Sequence, residues 1–246
     1  MQFFKQVGQY TMLMGRVFTR PDRWRMFARE YAREVEKQGL QSIPILIIIS
    51  IFMGAIMTIQ AKLNTENPLL PAYSTGLMTR DTLLLEFSST VMCLILAGKV
   101  GSNIASEIGT MRITEQIDAL EIMGINSANY LILPKVMAFF TMMPFLSIFS
   151  IAVGLGGGYI VAAFTDIISL ADYLLGIQYA FIPFYVIYCI IKSLFFSFII
   201  STVASYYGYY AYGGALEVGR ASTNAVVHSS VLILFFDIVL TNIMLT

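Results

Sequence analysis

The sequence predicts an all-α integral membrane protein, and three observations lead to this fold class. First, 57% of the 246 residues are hydrophobic and only 12% are charged, and the mean hydropathy of +0.75 lies far outside the range of ordinary soluble domains. Second, five apolar stretches each approach the ~20 residues that a helix needs to cross a bilayer. Third, these stretches are continuous rather than alternating, which favours helices over a membrane β-barrel.

The five predicted spans cover approximately residues 43–61, 76–98, part of 136–164, 181–204 and 225–245. Cys93 and Cys189 both fall inside apolar spans, where we expect buried thiols rather than a disulfide. The formal net charge is zero, so the composition gives no indication of a nucleic-acid partner.

An amphipathic section, residues 1–39, precedes the spans. Its apolar residues recur at helical spacing from Phe3 to Phe18, and a second run places Trp24, Phe27 and Tyr31 on one face with arginines elsewhere. This pattern is typical of helices that lie in the headgroup region of a membrane. The section is either an anchor that packs against the other helices or a device that bends the membrane.

The distribution of basic residues predicts a cytoplasmic N-terminus. The region before the first span carries Arg16, Arg20, Arg23, Arg25, Arg29, Arg33 and Lys37. Five spans then place segments 99–135 and 206–224 in the cytoplasm and Thr246 on the periplasmic side. The loop of residues 164–176 falls outside, and it carries two aspartates and no Lys or Arg.

A short helix is predicted within the first cytoplasmic segment. Thr114 is a suitable N-cap, Glu115 would lie in the first turn, and Gly124 would end the helix. The helix would have about nine residues and a length of roughly 14 Å, too short to cross a bilayer.

The acidic residues of this short helix share an arc. Glu115, Asp118 and Glu121 fall on one side, and Ala119, Leu120 and Met123 fall on another. Such a helix is either a docking element for a partner, with an acidic outer face, or an ordinary solvated loop helix.

Three charged residues are predicted to lie within the membrane: Glu86, Lys192 and Asp237. Burying a charge there is costly, so these residues usually face a cavity or an opposite charge. Glu86 and Lys192 have similar predicted depths, and they either form a structural ion pair or line and gate a lipid path. Asp237 and the single histidine, His228, are interpreted as structural polar groups. No set of ligands predicts a metal site, and no GxSxG motif supports an intramembrane hydrolase.

Several segments together resemble the MlaE family, the permease subunits of ABC-type lipid transporters. They are AGKVGSNIASEIGTMRITEQIDALEIMG at residues 97–124, YLILPKVMA at 130–138, FMGAIMTIQ at 52–60, GGALEVGRASTNAVVHSS at 213–230 and FDIVLT at 236–241. The resemblance covers roughly residues 39–246, so we expect an MlaE-like permease domain at 40–246 with a coupling segment at 99–130.

The resemblance implies a bacterial inner-membrane homodimer bound to two cytoplasmic ABC ATPases and a periplasmic MCE-domain protein. Such a complex would move phospholipid between the inner and outer membranes and so contribute to outer-membrane lipid asymmetry. The short cytoplasmic helix would couple to the ATPase through Glu115, Asp118, Glu121 and Arg112. The chain has no GxxxxGK[ST] run, so we expect a non-catalytic permease without a cofactor of its own, with ATP bound by the partner subunit.

Two alternatives from other classes remain at this level. The chain could be a permease for another hydrophobic cargo, such as a sterol or a lipid precursor, because any cavity for such molecules would use the same apolar side chains. It could also be a passive channel or scaffold, although the capped acidic helix and the lack of a polar filter motif disfavour that interpretation.

Overall fold

The computed structural model describes residues 2–19, 24–65 and 70–245, with side chains described from residue 4 onward. Within these ranges the secondary structure is helical, without strands, which confirms the all-α prediction. Arg20, Arg23 and Thr246, which entered the orientation prediction, lie outside the described residues, as does the side chain of Phe3. The α-helices in chain order are α1 (Gln2–Val17), α2 (Trp24–Glu34), α3 (Ile43–Asn64), α4 (Ser74–Thr82), α5 (Met92–Leu96), α6 (Ser102–Ile113), α7 (Gln116–Ile122), α8 (Ser127–Phe164), α9 (Leu170–Gln178), α10 (Phe184–Tyr209) and α11 (Ala215–Leu245).

Short π-helical and 3₁₀ segments link several of these α-helices into longer continuous helices. π-Helical segments occur at Val35–Gly39, Leu83–Val91 and Ala97–Gly101, and a 3₁₀ turn follows at Leu40–Ser42. As a result, Trp24–Asn64 and Ser74–Ile113 are each one continuous helix. Together with α8, α10 and α11, these make five helices within the described residues that are long and apolar enough to cross a membrane. The predicted number of spans is confirmed, and their orientation stays a prediction.

Two segments expected to be cytoplasmic loops are partly helical. Residues 99–113, expected in a cytoplasmic loop, continue the second long helix, and residues 215–224 already belong to α11. Polar side chains in the first of these segments bond to the preceding helical turn: Ser102 Oγ donates to the Lys99 carbonyl at 3.1 Å, and Thr110 Oγ1 donates to the Ser106 carbonyl at 2.7 Å. The polar composition therefore marks where the helix leaves the apolar region, not where it ends.

The chain divides into two compact units. The first unit contains Met1–Gln41, Cys93–Met142 and Leu194–Thr246, and the second contains Ser42–Met92 and Met143–Ser193. The proposed boundary after residue 39 stays a prediction.

The second unit depends on close helix contacts at glycine. A Cβ atom built on Gly54 of α3 would lie 1.8 Å from the Gly154 carbonyl oxygen of α8, and one on Gly157 would lie 2.1 Å from the Ile51 carbonyl oxygen. The buried hydroxyls of Ser50 and Ser150 bond to each other at 2.9 Å across the same contact. Small residues let the two backbones approach, as is typical of helix contacts in membranes.

The first unit packs α6 against α10 and α11. Ile104, Ala105 and Ile108 of α6 are buried, and a Cβ on Gly208 of α10 would lie 2.7 Å from the Ala105 carbonyl oxygen. α1 belongs to the same unit, where Leu13 and Val17 are buried. The predicted amphipathic helices α1 and α2 are confirmed as helices, and on α2 the ring of Phe27 lies between those of Trp24 and Tyr31, at 5.6 and 6.2 Å.

Candidate functional site

α7 is shorter than predicted, and its N-terminus differs from the predicted one. Thr114 is the last residue associated with α6, where its Oγ1 donates to the Thr110 carbonyl at 2.8 Å, so it does not cap α7. Glu115 takes the N-cap position with a left-handed backbone, φ 58° and ψ 13°, and makes no side-chain cap bond. The predicted cap was wrong because the threonine hydroxyl is already used by the preceding helix.

The C-terminus of α7 agrees with the prediction. Gly124 has φ 77°, in the left-handed region that glycine enters without a steric penalty. The Ile125 amide donates to the Leu120 carbonyl and the Gly124 amide donates to the Glu121 carbonyl, both at 3.0 Å. These two bonds form a Schellman motif, which fixes the position where the helix ends.

The apolar residues of α7 are arranged differently from the predicted pattern. Ile117 is fully buried and anchors the helix. Ala119 and Met123, on the arc opposite the predicted acidic face, are exposed, and Leu120 is half-buried. Ile122 is 87% exposed and Met123 is 65% exposed, so the outer edge of α7 is apolar.

Two of the predicted coupling acids have partners within the chain. Asp118 forms a 2.7 Å ion pair with Arg112, whose guanidinium lies 5.9 Å from the ring centre of Tyr209. Glu121 Oε1 accepts hydrogen bonds from Arg16, Ser127 and Tyr209. Glu115 is exposed. The structure brings Arg112, Asp118 and Glu121 together around Tyr209, and their contact with an ATPase stays a prediction.

The surroundings of Glu121 favour its ionised form. The hydrogen bond from Ser127 lowers the pKa of the Glu121 carboxyl below its ordinary value, and those from Tyr209 and Arg16 act in the same direction against burial. A lowered folded-state pKa means that the contribution of these contacts is fully present above the ordinary pKa of Glu and is lost as the pH falls through the folded-state value.

Glu86 and Lys192 form the ion pair that was one of the two interpretations of these residues. Lys192 Nζ lies 3.4 Å from Glu86 Oε2, 2.9 Å from the Tyr188 hydroxyl and 3.3 Å from the Leu85 carbonyl. The lysine side chain is fully buried, whereas that of Glu86 is 46% exposed. Glu86 lies in the π-helical segment Leu83–Val91, and such segments often occur at functional sites. The role of Glu86 in a lipid path stays a prediction.

A cluster of four charged residues in the first unit was not predicted from the sequence. Lys135 Nζ contacts Glu34 Oε1 and lies 2.8 Å from Glu107 Oε2. Lys37 Nζ lies 2.6 Å from the same Glu107 oxygen. The side chains of Lys135 and Glu34 are only 4% and 7% exposed. We call these four residues the ionic cluster. The only sequence signal for it was a lysine at the start of the third apolar run.

The remaining predicted polar residues lie on α11. His228 is exposed, its Nδ1 donates to the Asn224 carbonyl at 2.8 Å, and its ring centre lies 5.1 Å from that of Tyr207. Asp237 is half-buried. Across the described residues, no group of three or more His, Cys, Asp or Glu side chains has an arrangement suited to a metal ion.

The sequence is similar to a family of membrane permeases and to several of its members. A sequence model of the family described as permease MlaE matches residues 31–243. The chain is 37% identical over 210 residues to a probable ABC transporter permease protein of Rickettsia bellii (strain RML369-C), covering 83% of this chain and 79% of the relative. It is 29% identical over 244 residues to the intermembrane phospholipid transport system permease protein MlaE of Haemophilus influenzae, covering 98% and 93%. It is 30% identical over 236 residues to the chloroplastic protein TRIGALACTOSYLDIACYLGLYCEROL 1 of Arabidopsis thaliana, covering 94% and 66%.

Proposed function

Because this chain belongs to the MlaE permease family, we propose that it is the membrane-spanning permease of an ABC-type transporter that moves phospholipid between two membranes. In this proposal two copies form a homodimer in the bacterial inner membrane, bound to cytoplasmic ABC ATPases and to a periplasmic MCE-domain protein. The N-terminus and α7 are cytoplasmic, and the C-terminus is periplasmic. ATP is hydrolysed on the ATPase partner.

The observation that carries the energy-coupling part of the proposal is the exposed apolar edge of α7. Ile122 and Met123 are 87% and 65% exposed, on a helix of seven residues that cannot cross a membrane. Exposed apolar side chains at the end of a rigid helix are suited to a pocket on a partner protein, because their burial there removes apolar surface from water. The ATPase is the partner that an ABC permease requires.

The proposal is tested by recovering the complex and measuring lipid movement. The permease is purified from its native membrane in mild detergent, and the proteins recovered with it are identified by mass spectrometry. The complex is then placed in phosphatidylethanolamine and phosphatidylglycerol vesicles that contain a fluorescent phospholipid. We expect an ABC ATPase in the complex and ATP-dependent movement of the label. Recovery without an ATPase, or movement of a labelled sterol in place of the phospholipid, would contradict the proposal.

Ile122→Asp is expected to weaken the association with the ATPase. A charge placed in an apolar contact must be desolvated, so we expect the amount of ATPase recovered per permease to fall by about tenfold or more. Pull-down with a tag on the permease measures this ratio. Leu70→Asp, at an exposed apolar position between the first two predicted spans, serves as the control for a new charge away from α7. Equal recovery with Ile122→Asp and the unmodified chain would remove α7 from the ATPase interface.

Glu86→Gln is expected to slow phospholipid movement while the complex stays assembled. The substitution keeps the shape of the side chain and removes the charge that faces Lys192, 3.4 Å away. If the carboxylate contacts lipid during transport, we expect the rate of labelled phospholipid movement to fall by about threefold to tenfold. Thr90→Val, which removes the hydroxyl that bonds Glu86 at 3.3 Å, is the matched variant with the charge retained. An unchanged rate with Glu86→Gln would assign the pair a structural role only.

A further inference from the structure

The carboxylate of Glu121 is held by three elements of its own chain. Its Oε1 atom lies 3.0 Å from Arg16 Nη2, 2.9 Å from Ser127 Oγ and 3.0 Å from the Tyr209 hydroxyl. Arg16 is in α1, Ser127 begins α8 and Tyr209 ends α10. Ser127 and Tyr209 are buried, and their hydroxyls lie 2.9 Å apart. Hydrogen bonds to a charged group are stronger than neutral ones, so Glu121 joins α7 to these three helices.

The end of α1 is fastened to the chain that follows α7. The last carbonyl groups of a helix have no partner inside the helix and need other donors. Asn129 Nδ2 donates to the carbonyls of Val17 and Thr19, both at 2.7 Å, and Asn126 Nδ2 donates to the carbonyl of Arg16 at 3.0 Å. Asn126, in the turn between α7 and α8, and Asn129, in the first turn of α8, therefore cap the end of α1.

These contacts decide what Glu121 can offer to a partner. The Glu121 side chain is 39% exposed, but its Oε1 atom already accepts hydrogen bonds from three donors of its own chain. The next two residues along the chain, Ile122 and Met123, are 87% and 65% exposed. Glu121, which holds α7 in place, is thus followed directly by the two apolar residues that face outward.

We propose that Glu121 is a positioning residue that fastens α7 to α1, α8 and α10, so that a displacement of α7 moves the ends of these helices together. This inference rests on the proposed function, since it assigns the transmission step within the same transporter. In this proposal α1 is attached to the coupling segment at two places. Its Arg16 side chain and its terminal carbonyls both bind residues at the C-terminal end of α7 or just beyond. Glu121 acts through these contacts and does not bind the ATPase.

A double-mutant cycle on transport tests the inference. Arg16→Ala, Glu121→Ala and the double variant are placed in the reconstituted complex, and the number of labelled phospholipids moved per ATP hydrolysed is measured. We expect each single variant to lower this ratio by about threefold to tenfold with normal recovery of the ATPase, and the double variant to be no worse than the poorer single. Glu121→Gln keeps an acceptor for Ser127 and Tyr209 and should retain more activity. Arg33→Ala, which removes the 76% exposed arginine of the Arg33–Glu30 pair on α2, is the matched control.

Hydrogen exchange of the isolated permease tests the same inference without any assumption about cargo. Arg16→Ala and Glu121→Ala should each speed the exchange of amides in Gln116–Ile122 by about tenfold, with exchange in α3 unchanged. The inference would be overturned by unchanged amide exchange in α7. It would also be overturned if the two single variants lowered the phospholipid-to-ATP ratio independently, so that their effects multiplied in the double variant. A third contrary result would be loss of the ATPase with Glu121→Ala but not with Arg16→Ala. If the unmodified complex moves no phospholipid while α7 loosens as expected, the proposed function fails and the positioning role stands.

Discussion

Gly54→Ala is expected to destabilise the second unit more than any other single methyl group added to it. The new Cβ would lie 1.8 Å from the Gly154 carbonyl oxygen and 2.6 Å from its carbonyl carbon. Both are backbone atoms, so no side-chain rotation relieves the clash and α3 and α8 must separate. We expect a loss of at least about 3 kcal/mol, at the upper end of the overpacking range, together with loss of the Ser50–Ser150 bond.

The measurement is the fraction of permease that remains monodisperse on size-exclusion chromatography after heating in detergent. Gly156→Ala is the matched control, because α8 contains both positions 154 and 156 and nothing lies within 4 Å of a Cβ built on Gly156. A Gly54→Ala protein as heat-resistant as Gly156→Ala would show that α3 and α8 do not make this contact.

Lys135→Met is expected to destabilise the first unit, because it leaves two acids of the ionic cluster without their common partner. Glu34 is 7% exposed and would lose its cationic partner, keeping the hydrogen bond that the buried Gln38 donates to it at 2.6 Å. Glu107 would retain only Lys37. Removing one partner of a buried ion pair typically costs about 3–5 kcal/mol, which corresponds to a fall in melting temperature on the order of 6–12 °C for a chain of this size.

The same heating assay measures this loss, and two variants identify its cause. Lys135→Met combined with Glu34→Gln removes the uncompensated charge and should recover part of the lost stability. Lys5→Met makes the same chemical change at an exposed position and should leave the melting temperature unchanged. Equal melting temperatures for Lys135→Met and Lys5→Met would mean that the ionic cluster does not stabilise the unit.

The number of spans could be predicted from the sequence because bilayer thickness sets the length of an apolar run. Gly124 could be placed because a left-handed helix end strongly favours glycine. Thr114 was misassigned because its hydroxyl could cap α7 or bond back into α6, and local sequence does not distinguish these two uses. The extension of the second helix past Gly98 was missed because polar residues at a membrane surface remain compatible with a helix.

The partners of the charged residues could be predicted only where both members lie at a similar depth, as for Glu86 and Lys192. The ionic cluster joins residues that lie 28 and 101 positions apart along the chain, and no periodicity connects such positions. Glu121 was predicted to face a partner because it shares an arc with Glu115 and Asp118. That argument did not include Arg16, which lies 105 residues earlier and reaches the same carboxylate.

The two left-handed residues that bound α7 have a mechanical consequence. Glu115 at φ 58° and Gly124 at φ 77° both have a left-handed backbone conformation, which costs a non-glycine residue about 1 kcal/mol or more. Ile117 is buried between them, so the position of α7 is restricted at both ends and by packing in between. We therefore expect α7 to move as a rigid unit. A force on its outer edge would then displace α6 and α8 and would not be absorbed by bending of the connecting turns.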